Sequence, residues 1–121
     1  MKITFYKIYG EKVFDMKVLV LTSTKVLSEA LVTLLNSFGF DAHSDVEQPA
    51  DVAIFNLIGV TAPYLAPLSV PTLALTESDS RKERDLLSLG YYRCFNTRAS
   101  VDELVETLRA LSTQENGLEQ A

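Results

Sequence analysis

The chain has 121 residues, a length that suits one compact domain, and 47% of them are hydrophobic, enough for a core. Its formal net charge of −5 excludes a broad phosphate-tracking surface, which needs clustered Lys and Arg. A single Cys, Cys94, and a single His, His43, exclude an internal disulfide and make a poor metal site.

The first segment, Ile3 to Tyr9, is β-branched and aromatic and predicts a short strand, with Gly10-Glu11-Lys12 as its turn. Its Met1-to-Lys7 start lacks the apolar core and small-residue cleavage site of a secretory leader. No later run approaches the roughly 18 to 20 apolar residues of a membrane helix. A cytoplasmic protein with no membrane contact is expected. Met16-Lys17 reads as the start of the domain proper, with residues 1–15 an extension.

Val18-Leu19-Val20-Leu21 is a continuous apolar run, the signature of a parallel strand buried on both faces. Thr22-Ser23-Thr24 offers hydroxyls to cap a helix from Lys25 to Phe38. Val26, Leu27, Ala30, Leu31, Leu34, Leu35 and Phe38 would form its inward stripe. Gly39 ends it. Phe40 to Ser44 is a weak second strand, and Asp45 to Ala50 a polar loop. Asp51 to Ile58 holds a third strand around Val52-Ala53-Ile54-Phe55. Gly59 to Pro71 contains Pro63, Pro67 and Pro71, which leave no room for a full helix. Thr72 to Thr76 is a fourth strand. Ser80 to Leu89 is a helix closed by Gly90, with Leu86, Leu87 and Leu89 inward. The basic cluster Arg81, Lys82 and Arg84 is broken by Glu83 and Asp85 and reads as a solvated face. Tyr91 to Asn96 is a fifth strand. Ser100 and Glu103 form a capping box for a last helix. That helix runs to about Leu111 and buries Val101, Leu104, Val105, Leu108 and Leu111. The polar residues 113–121 are expected to fray.

Strands alternating with helices imply a doubly wound α/β fold, in which ligands meet the carboxyl ends of the strands. The residues placed there are Thr22, Ser23, Asn56, Thr76, Glu77 and Thr97.

Four segments resemble the receiver domain of bacterial response regulators, over roughly Lys17 to Leu111. They are Lys17 to Leu21, Ala50 to Asn56, Val70 to Thr76, and Gly90 to Ser100. The resemblance implies a flavodoxin-like, five-stranded parallel sheet of order 2-1-3-4-5. It also implies where an aspartyl phosphate would form. The family's acidic, Mg²⁺-holding pair maps to Thr22 and Ser23, its nucleophile to Asn56, and its lysine to Thr97. Thr76 keeps the family's residue. The aromatic switch position maps to Cys94. Hydroxyls and an amide supply neither the nucleophile nor the charge that Mg²⁺ prefers. The resemblance therefore points to a pseudo-receiver, non-enzymatic and without cofactor or metal.

The second and third helices of a receiver are also cut short, to Asp45–Ala50 and Gly59–Pro71. One sheet face is then expected to be under-covered and to be completed by the aromatic N-terminus (Phe5, Tyr6, Tyr9, Phe14) or by another chain. Tyr91 and Tyr92 offer a second contact surface. The expectation is a regulatory domain that works by protein–protein contact, most simply as a homodimer, without binding nucleic acid directly.

Plainer uses compete at several positions. Thr22-Ser23-Thr24 can be a simple cap, His43 a surface residue, and Cys94 a small core residue. Tyr91-Tyr92 can be edge packing, and Asn56 an amide that caps or hydrogen-bonds the loop after Thr22. Two further readings stay open. One is a small-ligand or anion sensor using Thr22, Ser23, Asn56 and Thr76. The other is the N-terminal regulatory domain of a transcriptional regulator. An α/β enzyme is the weakest reading, because no base, nucleophile pair or metal cluster gathers at the strand ends.

Overall fold

The computed structural model describes residues 16–120, with side chains described over 16–112. The expected strand at 3–9, and with it Phe5, Tyr6, Tyr9 and Phe14, lies outside the described residues.

Eight elements follow in chain order: β1 Lys17–Leu21, α1 Lys25–Ser37, β2 Asp41–His43, β3 Val52–Asn56, β4 Thr72–Leu75, α2 Ser80–Leu89, β5 Arg93–Phe95 and α3 Val101–Gln120. The five strands form one sheet in the order β2-β1-β3-β4-β5. Every pairing is parallel. The last helix continues past the expected end at Leu111, to Gln120.

Period-two alternation sorts the strand residues between two cores. Val18 and Val20 of β1, Val52 and Ile54 of β3, Leu73 of β4 and Phe95 of β5 point to one face. Leu35 of α1 and Leu104, Val105, Leu108 and Leu111 of α3 cover it. Leu19, Ala53, Phe55 and Ala74 point to the other face, where Leu86 of α2, Leu57 and Tyr91 meet them. The connections 44–51 and 57–71 contain no helix, as the prolines require.

The second face is nevertheless not bare. Leu19, Ala53, Phe55 and Ala74 are all buried, with Tyr64 and Val70 of the proline-rich connection packed against them. The expectation of an under-covered face is corrected on this point: an irregular segment can seal a sheet when its own polar groups are satisfied. Lys82 does that. Its ammonium donates to the carbonyls of Leu57 and Val60 and to the Glu77 carboxylate, each at 2.7 Å. It also stands 5.5 Å from the centroid of the Tyr64 ring. All three of its N–H donors are therefore used. Lys82 is 5% exposed, so the solvated-face reading of the basic cluster fails there and holds for Arg81 and Arg84, which are exposed.

Two helices are rotated from expectation. In α1 the inward stripe is Ser28, Leu31, Val32 and Leu35, while Val26 is 75% and Leu27 47% exposed and Ala30 is exposed too. In α2 only Leu86 of the three leucines is buried; Leu87 and Leu89 face solvent. Val101, at the start of α3, is also exposed rather than inward.

Candidate functional site

The carboxyl ends of β1, β3 and β4 turn into loops held by short-range hydrogen bonds. At the end of β1, Thr22 Oγ1 donates to the Thr24 carbonyl at 2.6 Å and lies 2.8 Å from Ser28 Oγ. That carbonyl accepts the only proton Thr22 has, so Ser28 is the donor in the second bond. Thr24 itself caps α1, its hydroxyl accepting from Leu27 N–H at 3.2 Å. The plainer capping use is thus realised by Thr24, and Thr22 anchors Ser28 inward.

At the end of β3, Asn56 Oδ1 accepts from Ile58 N–H at 3.1 Å, an Asx turn. This bond orients the amide, because only the oxygen can accept, and leaves Nδ2 directed elsewhere. The loop that Asn56 organises is its own, not the one after Thr22. At the end of β4, Thr76 is fully buried, and its hydroxyl has no hydrogen-bond partner. Glu77 follows, accepting from Gly59 N–H at 2.8 Å as well as from Lys82. The Lys82 hydrogen bond first, and backbone N–H bonds after it, hold the Glu77 carboxyl down to about 2.

Two adjoining cavities open here. The larger, about 580 Å³, is lined by Thr22, Ser23 and Asn56 at the strand ends and by Leu27, Ala30 and Leu34 of α1. The smaller, about 210 Å³, includes Thr76, Asn96 and Thr97. Both share Leu31, Ile58 and Leu75. Five of the six positions expected at the strand ends, all but Glu77, are therefore brought to one rim but divided between two hollows. Sequence reasoning missed the apolar lining of α1, having assigned Leu27, Ala30 and Leu34 to the core. Their excess over what one helix face can bury was the available signal.

No lining residue of either cavity is charged. Among the described residues, no group of three or more His, Cys, Asp and Glu could hold a metal ion. Mg²⁺, implied by the receiver resemblance, does not fit Thr22, Ser23 and Asn56: hydroxyls and an amide offer it no carboxylate.

The remaining expected positions have structural uses. Cys94 is half-buried, its thiol 3.9 Å from the Glu83 carbonyl. Burial first, and the Glu83 charge second, push that thiol up, away from a reactive thiolate. His43 accepts from Asp45 N–H at Nδ1, so its Nε2 carries the proton donated to the Pro49 carbonyl, and it braces the 44–51 connection. Tyr91 is only 3% exposed and packs edge-on against Phe55, with ring centroids 6.1 Å apart, so it cannot serve as contact surface. Tyr92 is 47% exposed.

No family model matches the sequence, and no curated protein matches it. Solved structures do. The receiver domain of Francisella response regulator 1452 superposes with a TM-score of 0.65 at 20% identity, over 84% of this chain and 99% of its own. A CheY-like response regulator from Mesorhizobium loti gives 0.62 at 14% identity, over 80% and 98%. A fusion carrying the yeast Spc42 trimeric coiled coil gives 0.71 at 12% identity, over 92% and 88%. The chain has the flavodoxin-like fold of CheY-like receiver domains, with its parallel strands in the order β2-β1-β3-β4-β5.

Proposed function

We propose that this chain is a receiver-like regulatory domain that works without phosphorylation, through contact with protein, and first with a second copy of itself. The observation that carries the reading is the state of Asn56. Its amide oxygen is committed to the Ile58 N–H, and no carboxylate lines either cavity beside it. A carboxamide there offers neither the charge nor the nucleophilicity for an acyl phosphate.

The surface that favours contact lies where the proline-rich connection meets the carboxyl end of α2. Leu65, Leu68, Leu89 and Tyr92 are between 44% and 59% exposed. They are held together by local bonds: Tyr91 Oη donates to the Leu65 carbonyl, and the Thr72 hydroxyl accepts from Leu68 N–H. The Thr72 carbonyl accepts from Tyr92 N–H. An apolar patch of this kind on a small acidic domain suits a self-complementary interface.

The test is incubation with acetyl phosphate or beryllofluoride in the presence of Mg²⁺. The expected outcome is unchanged intact mass and an unchanged amide NMR spectrum. A stable adduct at Asn56, or a shift spreading from β3 and β4, would sink the reading.

A further inference from the structure

We infer that the cavity between α1 and the strand ends binds a neutral, chain-like lipophile bearing one carbonyl, with Asn56 Nδ2 as the donor that holds it. The inference goes beyond the interaction reading and does not depend on it. Its volume of about 580 Å³ falls within the roughly 300–1,000 Å³ of small-molecule sites. Its walls are Leu27, Ala30, Leu31, Leu34, Ile58 and Leu75, a lining for an alkyl chain.

The polar end selects the head group. Thr22 has spent its proton on Thr24 O and receives one from Ser28. Asn56 has spent its oxygen on Ile58 N–H. The same bond turns Nδ2, which has no hydrogen-bond partner among the described residues, away from Ile58 as a pair of N–H donors. A carbonyl oxygen satisfies such a donor. A carboxylate would also accept, but no lining residue supplies a cation to offset its desolvation. The head is therefore neutral.

The exposure of α1 is explained by the same site. Leu27 is 47% exposed and Ile58 47% exposed, and both line the same hollow. Apolar groups left open in this way gain free energy when a chain covers them.

The test is a titration of the isotope-labelled full-length chain with 2-nonanone, followed by amide NMR, with nonanoate in parallel. Saturable shifts at Leu27, Ala30, Leu34 and Ile58 are expected, with nonanoate binding at least about tenfold more weakly. Asn56→Asp keeps an oxygen for Ile58 N–H and removes the donors, so ketone affinity should fall about tenfold while the loop stays formed. Ala30→Phe, at an exposed position, should fill the hollow and abolish the shifts. The inference is overturned by any of four results: no saturable shift, nonanoate binding as tightly as the ketone, Asn56→Asp binding like the parent, or shifts confined to Leu65, Leu68, Leu89 and Tyr92. None of these bears on self-association, which solution mass reads separately.

Discussion

Two neighbouring residues at the end of β4 are satisfied to opposite degrees. Thr76 Oγ1 is sealed from solvent with no hydrogen-bond partner, and a buried orphan hydroxyl costs the fold free energy. Thr76→Val keeps the shape and removes the orphan, so it should raise stability by about 1 kcal/mol, read as a higher urea midpoint. Glu77, one residue on, takes a proton from Lys82 and another from Gly59. Its folded-state value of about 2 lies below its ordinary 4.5. A depressed carboxyl favours the fold above its unfolded value and loses that contribution as pH falls through the folded one. The urea midpoint should therefore drop between about pH 4.5 and pH 2, and Glu77→Gln should flatten that part of the profile. Lys82→Met removes the one group bonded to Leu57, Val60 and Glu77 together. It should cost about 2 kcal/mol and speed proteolysis within residues 57–71, which limited digestion would show.

Among the elements, α1 bears the most on function, because it has more apolar residues than one side of a helix can bury. Ser28 and Leu35 are buried and lie two turns apart. Val26 and Leu27, adjacent in sequence, lie outside that stripe. Leu35→Ala should therefore cost about 3 kcal/mol of stability, while Val26→Ala should change it by less than about 0.5 kcal/mol. Equal effects in a denaturation series would contradict the rotation described. In α2 the two ends are set by local chemistry. Asp79 accepts from Arg81 and Lys82 N–H at the start, and Gly90 takes the left-handed conformation at φ 114° at the end. A Cβ on Gly90 would stand 3.3 Å from Pro67 Cγ, so the helix end and the proline-rich connection pack as one unit. That unit carries the exposed Leu65, Leu68, Leu89 and Tyr92.

At the scale of the whole molecule, one edge of the sheet is closed to pairing. Along β5, Arg93 reaches Thr107 at 2.7 Å and Glu103 at 3.7 Å and lies over the Phe95 ring, covering that edge with charge. Association through the Leu65–Tyr92 patch is then expected instead of pairing along β5. Light scattering should give a dimer mass, and Leu89→Asp with Tyr92→Asp should give a monomer; an unchanged mass would count against that surface. Among the described residues, the order of elements, the parallel sheet, the caps at Thr24, Gly90 and Ser100, and the neutral side chains of Thr22, Ser23, Asn56 and Thr76 were legible from residue periodicity and residue type. These properties depend on neighbours within a few positions. Three features came only with the tertiary structure: the face α1 buries, the inward turn of Lys82 and Tyr91, and the sealing of the second sheet face by a connection without a helix. Each depends on partners far along the chain: Lys82 on Leu57 and Val60, Tyr91 on Phe55 and Leu65, and Leu35 on the core shared by β1 and α3. Local periodicity ranks the faces of a helix or strand by polarity, but the choice among them is made by which distant surface has room and a matching hydrogen bond.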